Sequence, residues 1–390
     1  MKRSTDRILA THAGSLPRPD DLLQMVWARE RGKPYDANTL RSRLQQAVRE
    51  VVKKQVDIGF AVVNDGEYGK SSFIHYVNDR LGGFEPSREP GGSPFAGSRE
   101  FKSFPEYYIG MAKGTPQPAA AAMHMVCTGP VTYKGEEYLK ADIENLKAAL
   151  KEAKPEEAFM TAIAPSDVEW WQSNEYYKSQ EEFLLAVADA MSVEYRAIAE
   201  AGFILQIDDP RLVTQYALQP DWSVEQCRKW ANVRVDALNH ALRGIPREKV
   251  RFHTCYSINI GPRVHDAPLR DFVEIMLKIN AGAYSYEAGN PRHFHEWRVW
   301  EDVKLPAGKA IIPGLISHST TLVEHPEFIA ELLVNHAGLV GRENVIAGAD
   351  CGFSSLAVYA PEVHPTVVWA KFEALAEGAR LASQRLFGRT

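Results

Sequence analysis

The strongest constraint on this chain is a repeated alternation. Short β-rich runs end in polar or reactive residues, and long amphipathic segments separate them. The run Ile8 to Ala13 leads into the turn Gly14-Ser15-Leu16-Pro17. Residues 38–58 then read as a helix: Asn38 can cap it, Leu40, Leu44, Val48, Val51 and Val52 make one apolar stripe, and Gly59 stops it. The strand Phe60-Ala61-Val62-Val63 follows and ends in Asn64-Asp65-Gly66-Glu67. Further strands are expected at Met123 to Cys127, Phe203 to Ile207, Val250 to Cys255, Ala283 to Glu287, Ala310 to Ile316 and Val345 to Cys351. Helices are expected at 180–201, from Ser223 to about Gly244, at 268–281, at 326–340 and at about 363–386.

Strands alternating with helices imply right-handed crossovers and a parallel sheet. Eight such units favour an α/β fold of the closed (β/α)8 TIM-barrel type over an open doubly wound sheet. No Gly-x-Gly-x-x-Gly follows the first strand and no Walker A sequence occurs. The apolar run Ala158 to Ala164 reads as part of an insertion. The stretches 82–120 and 131–178 exceed ordinary βα loops, and excursions of that length usually build an active-site rim. Within them, residues 86–98 are rich in Pro, Gly and Ser and read as a mobile surface loop. With no tandem repeat and no linker, residues 1–390 are expected to form a single domain.

Composition removes several classes of function. The net charge of −5 advertises no surface for nucleic acid or anionic membrane. No run of about 18 apolar residues is present, and the start MKRSTDRILATHAGSLPRP turns polar too soon for a signal peptide. Four scattered cysteines are too few for a disulfide scaffold, so a cytoplasmic protein with reduced thiols is expected. Its partners should be small molecules, and self-association into a homo-oligomer is allowed.

In a barrel of this kind, catalytic groups sit where the strands end. Those ends carry Ser15, Asp65 and Glu67, Asp208 and Asp209, His253 and Cys255, Glu287, His318, and Cys351. His253-Thr254-Cys255 is the sharpest piece. On a strand, residues i and i+2 face the same way, so the imidazole and thiolate can converge on one ion. With Glu287 and Cys351 from later strand ends, the set is two thiolates, one imidazole and one carboxylate, which suits Zn²⁺. Core packing is the competing account of a lone His-x-Cys, because a free cysteine behaves as a small buried hydrophobe. His293-x-His295 is a rival pair beyond a Gly-Asn-Pro turn. Ligands on separate strands argue for a catalytic rather than a structural ion. An incoming thiol could displace the weakest ligand, plausibly Glu287, and be held as thiolate. Glu67 and Asp208 suit an ammonium group, and Ser15 a carboxylate or sulfonate. His318 could shuttle a proton or polarise a leaving group. The aromatic residues Phe73, His75, Tyr76, Tyr107, Tyr108, Trp170, Trp171, Tyr176 and Tyr177 could line a pocket or pack the insertions onto the barrel.

Gly14-Ser15-Leu16-Pro17, Asp65-Gly66-Glu67, Thr128-Gly129-Pro130-Val131-Thr132, Gln206-Ile207-Asp208-Asp209-Pro210, His253-Thr254-Cys255, Tyr286-Glu287, Ser317-His318-Ser319 and Asp350-Cys351-Gly352 occur in this order. The series resembles the catalytic C-terminal barrel of cobalamin-independent methionine synthase over nearly the whole chain. The resemblance implies a uroporphyrinogen-decarboxylase/methionine-synthase-like (β/α)8 barrel whose zinc activates homocysteine for methylation by methyltetrahydrofolate. By position it implies His253, Cys255, Glu287 and Cys351 as zinc ligands. Ser15, Glu67 and Asp208 would hold the amino acid, with Asp208 also counted in the catalytic set, and His318 would be the acid. Two departures stand out: the family's Asp-Glu-Pro is Asp208-Asp209-Pro210 here, and Tyr133-Lys134-Gly135 stands where the family places a pterin-stacking tryptophan. The family's additional N-terminal barrel has no room in this chain.

The leading expectation is therefore a zinc-dependent thiol alkyltransferase that moves a methyl group to homocysteine through a zinc-bound thiolate. An epoxyalkane:coenzyme M transferase-like enzyme, or another zinc-thiolate transferase with a non-folate, aromatic donor, is the alternative. A non-catalytic barrel binding zinc or an amino acid is a third. A uroporphyrinogen-decarboxylase-like activity would leave the His-x-Cys and second cysteine unexplained.

Overall fold

The structure, a computed structural model, describes residues 1–30, 32–87, 95–114, 124–256, 261–355 and 363–388. The Ala37–Ile58 helix shows how the alternation is enforced. Asp36, rather than the expected Asn38, caps it by accepting from the Thr39 N–H at 2.6 Å. Leu40, Ala47, Val48, Val51 and Val52 are buried along one face. Gly59 adopts φ +106° and ends the helix in a left-handed turn, a conformation that costs glycine nothing. The chain then passes directly into the next strand.

The strands are β1 (Leu9–Ala10), β2 (Val62–Val63), β3 (Leu81–Pro86), β4 (Met125–Tyr133), β5 (Glu157–Ile163), β6 (Ser173–Asn174), β7 (Ile204–Asp208), β8 (Val250–His253), β9 (Ala283–Glu287), β10 (Ala310–Gly314) and β11 (Ile346–Ala347). Six form one parallel sheet in the order β10-β9-β8-β7-β5-β2. β1 pairs in parallel with β11. Single parallel bridges join Ile311 to Val345 and Gly314 to Gly348, and the Ala61 N–H donates to the Ala10 carbonyl at 3.1 Å. The result is an α/β architecture around a curled parallel sheet, with helices between successive strands. The expected helices appear at Gln180–Glu200, Val224–Ala241, Pro326–Val340 and Pro365–Phe387. The segment 268–281 is looser, a 3-10 turn at Leu269–Asp271 followed by the short Val273–Met276 helix. Among the described residues, no helix is long and apolar enough to cross a membrane.

Two strand assignments need correction. Ala158 to Ala164 is not an excursion: β5 lies in the main sheet between β2 and β7, and Ala158 to Ile163 are all buried. A strand covered on both faces reads as an unbroken apolar run, and this one does. Conversely, the Met123 to Cys127 run opens β4, which belongs to a separate sheet. It pairs antiparallel with β3 and parallel with β6. Only Cys127 of that strand is buried, as expected of a strand outside the core. The stretch 131–178 thus contains the end of β4, the Glu136–Ala153 helix, β5, the Pro165–Trp171 helix and β6. Of the loop read at 86–98, residues 88–94 lie outside the described residues; Arg99–Ser103 and Pro105–Gly114 beyond it are helical.

The interior of the curl is polar in one place. Arg251 on β8 is buried, and it donates to Gln206 Oε1 at 2.6 Å, to Thr11 Oγ1 at 3.0 Å and to the His12 carbonyl at 2.6 Å. Its guanidinium lies 3.4 Å from the centre of the Phe159 ring. Burial pulls its pKa down to about 9. One side chain thereby ties β7 and β8 to the end of β1.

β10 approaches the chain beyond β11 so closely that a Cβ on Gly314 would sit 2.3 Å from Asp350 Cα and 2.6 Å from its nitrogen. Gly314→Ala should destabilise the protein by about 1–3 kcal/mol, because backbone cannot yield as a side chain can. Urea unfolding monitored by circular dichroism measures this; an unchanged midpoint would contradict the tight approach.

Candidate active site

The parallel register puts the carboxyl ends of the strands on one side, and the residues expected to do chemistry collect there. A pocket of about 370 Å³, including the space where it opens to solvent, is lined by Ser15, Glu67, Phe73, Asp208, His253, Cys255 and Cys351 among others. His253 closes β8 and Cys255 follows two residues later. Cys351 lies just beyond β11. Ligand atoms of these three buried residues lie within 4.8 Å of one another, so the trio could hold one metal ion.

The two sulfurs are 3.2 Å apart, well beyond the roughly 2.05 Å of a disulfide, and both cysteines are free. Contact with Cys351 holds the Cys255 thiol well below its ordinary range, and His253 adds to this against the opposing effect of burial. Cys351 is pushed well above it, by Cys255 first and burial second. Burial works against a charged His253, but hydrogen bonding to Cys255 prevails and its pKa is raised. Its Nδ1 lies 3.2 Å from Ser285 Oγ.

Glu287, expected in the same set, ends β9 but falls outside the trio. It groups instead with His318 and Asp350, again with ligand atoms within 4.8 Å of one another. Its Oε1 accepts from the Tyr256 N–H at 2.7 Å. Its Oε2 accepts from Asn290 Nδ2 at 2.7 Å and Arg263 Nη2 at 3.1 Å. His318 is buried, with Nδ1 3.1 Å and its backbone N–H 2.8 Å from Asp350 Oδ1. Its Nε2 is buried and has no hydrogen-bond partner among the described residues. Burial lowers its pKa, but Asp350 overrides this and raises it to about 9, so a proton is retained at neutral pH. Asp350 is a participant that the strand-end reasoning passed over; its place beside Cys351 was the available signal.

The carboxylates line the same pocket, with Asp208 the register partner of His253 across β7 and β8. Glu67 adopts φ +59°, an uncommon conformation for a residue other than glycine, at the turn after β2. Its Oε1 accepts from Thr161 Oγ1 at 2.7 Å, and Lys70 Nζ reaches the same hydroxyl at 2.8 Å. Thr161 was missed because its strand was read as an insertion. Gly14, at φ +136°, leaves room for this carboxylate: a Cβ there would be 2.8 Å from Glu67 Oε1. Ser15 Oγ lies 3.0 Å from Ser355 Oγ and accepts from the Ser354 N–H at 3.3 Å. Asp208 ends β7 and accepts from Gln206 Nε2 at 2.7 Å. Burial, reinforced by Glu67 and opposed by His253 and Lys70, raises its pKa to about 7.

Other candidates are placed elsewhere. His293 stacks on Tyr256 with ring centres 4.1 Å apart and meets Glu296 and Asp266 at 2.9 and 3.2 Å, outside both groups. Burial disfavours its charge, but the two carboxylates raise its pKa to about 9. Of the aromatic residues singled out above, Phe73 lines the pocket. Tyr76 donates to Glu194 at 3.0 Å, Trp170 lies 3.7 Å from the Arg211 guanidinium, and Tyr177 stacks on Phe183, all of which is packing.

This fold is shared with the B12-independent methionine synthases. The structure of such an enzyme from a Shewanella species, in complex with selenomethionine, superposes with a TM-score of 0.73 at 18% identity, over 98% of this chain and 100% of that one. A methyltransferase from Methanosarcina mazei gives 0.52 at 14% identity, over 96% and 94%. In sequence, the chain is similar to proteins named methionine synthase. That of Sulfurisphaera tokodaii is 24% identical over 351 residues, 89% of this chain and 86% of its own. That of Pyrococcus furiosus is 24% identical over 348 residues, 88% and 85%. No family model matches the chain. The resemblance carried by the motifs thus extends over most of the chain.

The Asp208 carboxyl keeps its proton in the folded state to about pH 7 and loses it near pH 4 when unfolded, so folding stability falls as pH rises through that window. Asp208→Asn should flatten that fall in metal-free protein. Chemical unfolding at pH 5, 6 and 7 tests it; parallel losses in both proteins would refute the assignment.

Proposed function

We propose that this protein is a zinc-dependent thiol methyltransferase that moves a methyl group to homocysteine. The meeting of His253, Cys255 and Cys351 in one buried group carries the reading, and the similarity to methionine synthases supports it. The ligand atoms of the trio, within 4.8 Å of one another, are close enough that one zinc ion would be held by all three. Two sulfurs and an imidazole also form a soft donor set that excludes magnesium or calcium. Bound there, the ion supplies the lowering of a substrate thiol's pKa that makes it nucleophilic at neutral pH. Glu287, the fourth residue of the expected ligand set, would be the donor to give way to the substrate thiol.

The remaining work falls to side chains. Glu67 and Asp208 grip the amino group of homocysteine, and Ser15 with the backbone around Ser354 receives its carboxylate. His318, kept protonated and oriented by Asp350, presents Nε2 to the departing side of the donor. The bond from the methyl carbon to the donor breaks as the sulfur–carbon bond forms, and a proton from Nε2 neutralises the leaving atom. Phe73 shields the reacting carbon from water. Transfer to a coenzyme-M-type thiol would use the same trio; the carboxylates facing the pocket favour an amino acid.

The bridges from β10 to the chain around β11, the β1–β11 pair and the Ala61-to-Ala10 hydrogen bond support closure of the sheet into an eight-stranded barrel. On this reading residues 1–390 form one domain. Four free cysteines agree with a reducing cytoplasm.

Cys351→Ser should lose zinc and methyl transfer together. Elemental analysis of the purified variant, with mass spectrometry of products from homocysteine and a panel of methylfolate, methylcobalamin and epoxide donors, decides the matter. A variant that retains both removes the ligand assignment. S-alkylation of coenzyme M but not homocysteine would select the other thiol.

A further inference from the structure

Thr161 is buried on β5, with its hydroxyl set between a lysine and a carboxylate. Lys70 Nζ donates to Thr161 Oγ1 at 2.8 Å and to the Thr161 carbonyl at 2.6 Å, and Oγ1 donates to Glu67 Oε1 at 2.7 Å. An ammonium has hydrogens but no lone pair, so Lys70 can only donate, and the single Thr161 hydrogen is left for the carboxylate. The methyl side is fixed as well, because the Cβ that Gly14 lacks would stand 2.8 Å from Thr161 Cγ2. Lys70 is held from two sides. Its Nζ lies 4.4 Å from the centre of the Tyr76 ring, and Arg18 Nη2 donates to the carbonyls of both Glu67 and Lys70. Among the described residues, Lys70 and Glu67 make no direct ion pair; the hydroxyl stands between them.

We propose that Thr161 is a positioning residue that keeps Lys70 from pairing with Glu67, so that this carboxylate stays available to a substrate ammonium and the site favours an α-amino thiol over the same thiol without its amino group. The inference rests on the reading that Glu67 grips the amino group of the substrate. Its physical basis is competition between two ammonium groups for one carboxylate. Glu67 and Asp208 are buried and line the same pocket, and two such acids need a cation nearby. Lys70 supplies that charge at one remove, through a neutral hydroxyl. Paired with Glu67 directly, it would leave the incoming ammonium a carboxylate already neutralised, and binding would have to break a buried charge-assisted contact. With Thr161 in place, Glu67 Oε1 is held by a neutral donor, and Oε2 accepts no hydrogen bond from the described residues. Removing the hydroxyl takes away both the restraint on the carboxylate and the spacer that holds the lysine back.

The probes are L-homocysteine and 4-mercaptobutyrate, which has the same chain without the amino group. Both are titrated calorimetrically into zinc-loaded full-length protein under reducing conditions, and the ratio of the two affinities is read, because a general loss of folding or metal cancels in it. The unsubstituted protein should prefer homocysteine. Thr161→Val keeps the side-chain shape without the hydroxyl and should cut that preference about tenfold. Thr161→Ser keeps the hydroxyl and should preserve most of it. A preference unchanged in folded Thr161→Val, or lost equally in Thr161→Ser, would overturn the proposal. If Thr161→Val does not fold, Thr161→Ala decides by the same ratio. Glu67→Gln tests the amino-group reading separately and should abolish the preference. If the unsubstituted protein binds neither thiol or does not prefer homocysteine, or if Glu67→Gln keeps the preference, both readings fall. A preference lost in Glu67→Gln but intact in Thr161→Val overturns this proposal alone.

Discussion

A buried guanidinium organises the middle of this molecule. Arg251 leaves β8 and reaches Gln206 on β7, Thr11 beyond β1 and the His12 carbonyl. A cation taken out of water persists only where its donors are satisfied, and the Phe159 ring beneath it adds a favourable face. Gln206 passes the restraint upward, for its amide donates to both Asp208 and the Ala13 carbonyl. Two walls of the pocket, the turn after β1 and the end of β7, are therefore set by one polar cluster one layer below. The curl of the sheet and the placement of the site are a single problem, solved by the same side chains.

Above that layer, the site separates into regions of opposite need. Cys255, Cys351 and His253 form a soft corner in which Cys351 holds the Cys255 thiol below its ordinary range and is itself pushed above it. Glu67 and Asp208 form a hard, acidic wall, with Lys70 on the Thr161 hydroxyl close enough to moderate it. His318 and Asp350 form a third region in which the histidine is kept cationic by a carboxylate that touches it twice.

Much of this was legible in the chain, for identifiable reasons. Glycine stops, amphipathic stripes and polar strand ends gave the helices and most strands of the main sheet, because those signals are local. Ser15, Glu67, Asp208, His253, Cys255 and Cys351 line one pocket as expected, because a parallel register sends every strand end the same way. What local signals could not supply was pairing. β4 and β5 exchanged roles because both read as apolar runs, and burial on two faces is settled by neighbours. Asp350 and Thr161 act through partners far away in the chain. Glu287 was placed at the correct strand end, but its donors Arg263 and Asn290 come from loops with no periodic pattern.

Ser15 and Gly352 have a consequence for biosynthesis. The Ser15 hydroxyl occupies the space that a side chain at 352 would need, with only 2.1 Å between it and a Cβ there. The Ser15 carbonyl accepts from the Phe353 N–H at 3.0 Å, and β1 lies against β11. A ribosome extrudes Ser15 more than 300 residues before Gly352. Until the later one arrives, a nascent chain carries His253 and Cys255 without Cys351, and Ser15 without the serine at 355 that it meets. Assembly of the His253, Cys255 and Cys351 group and closure of the pocket are thus deferred until the segment around Cys351 has emerged, when contacts of long sequence separation become available.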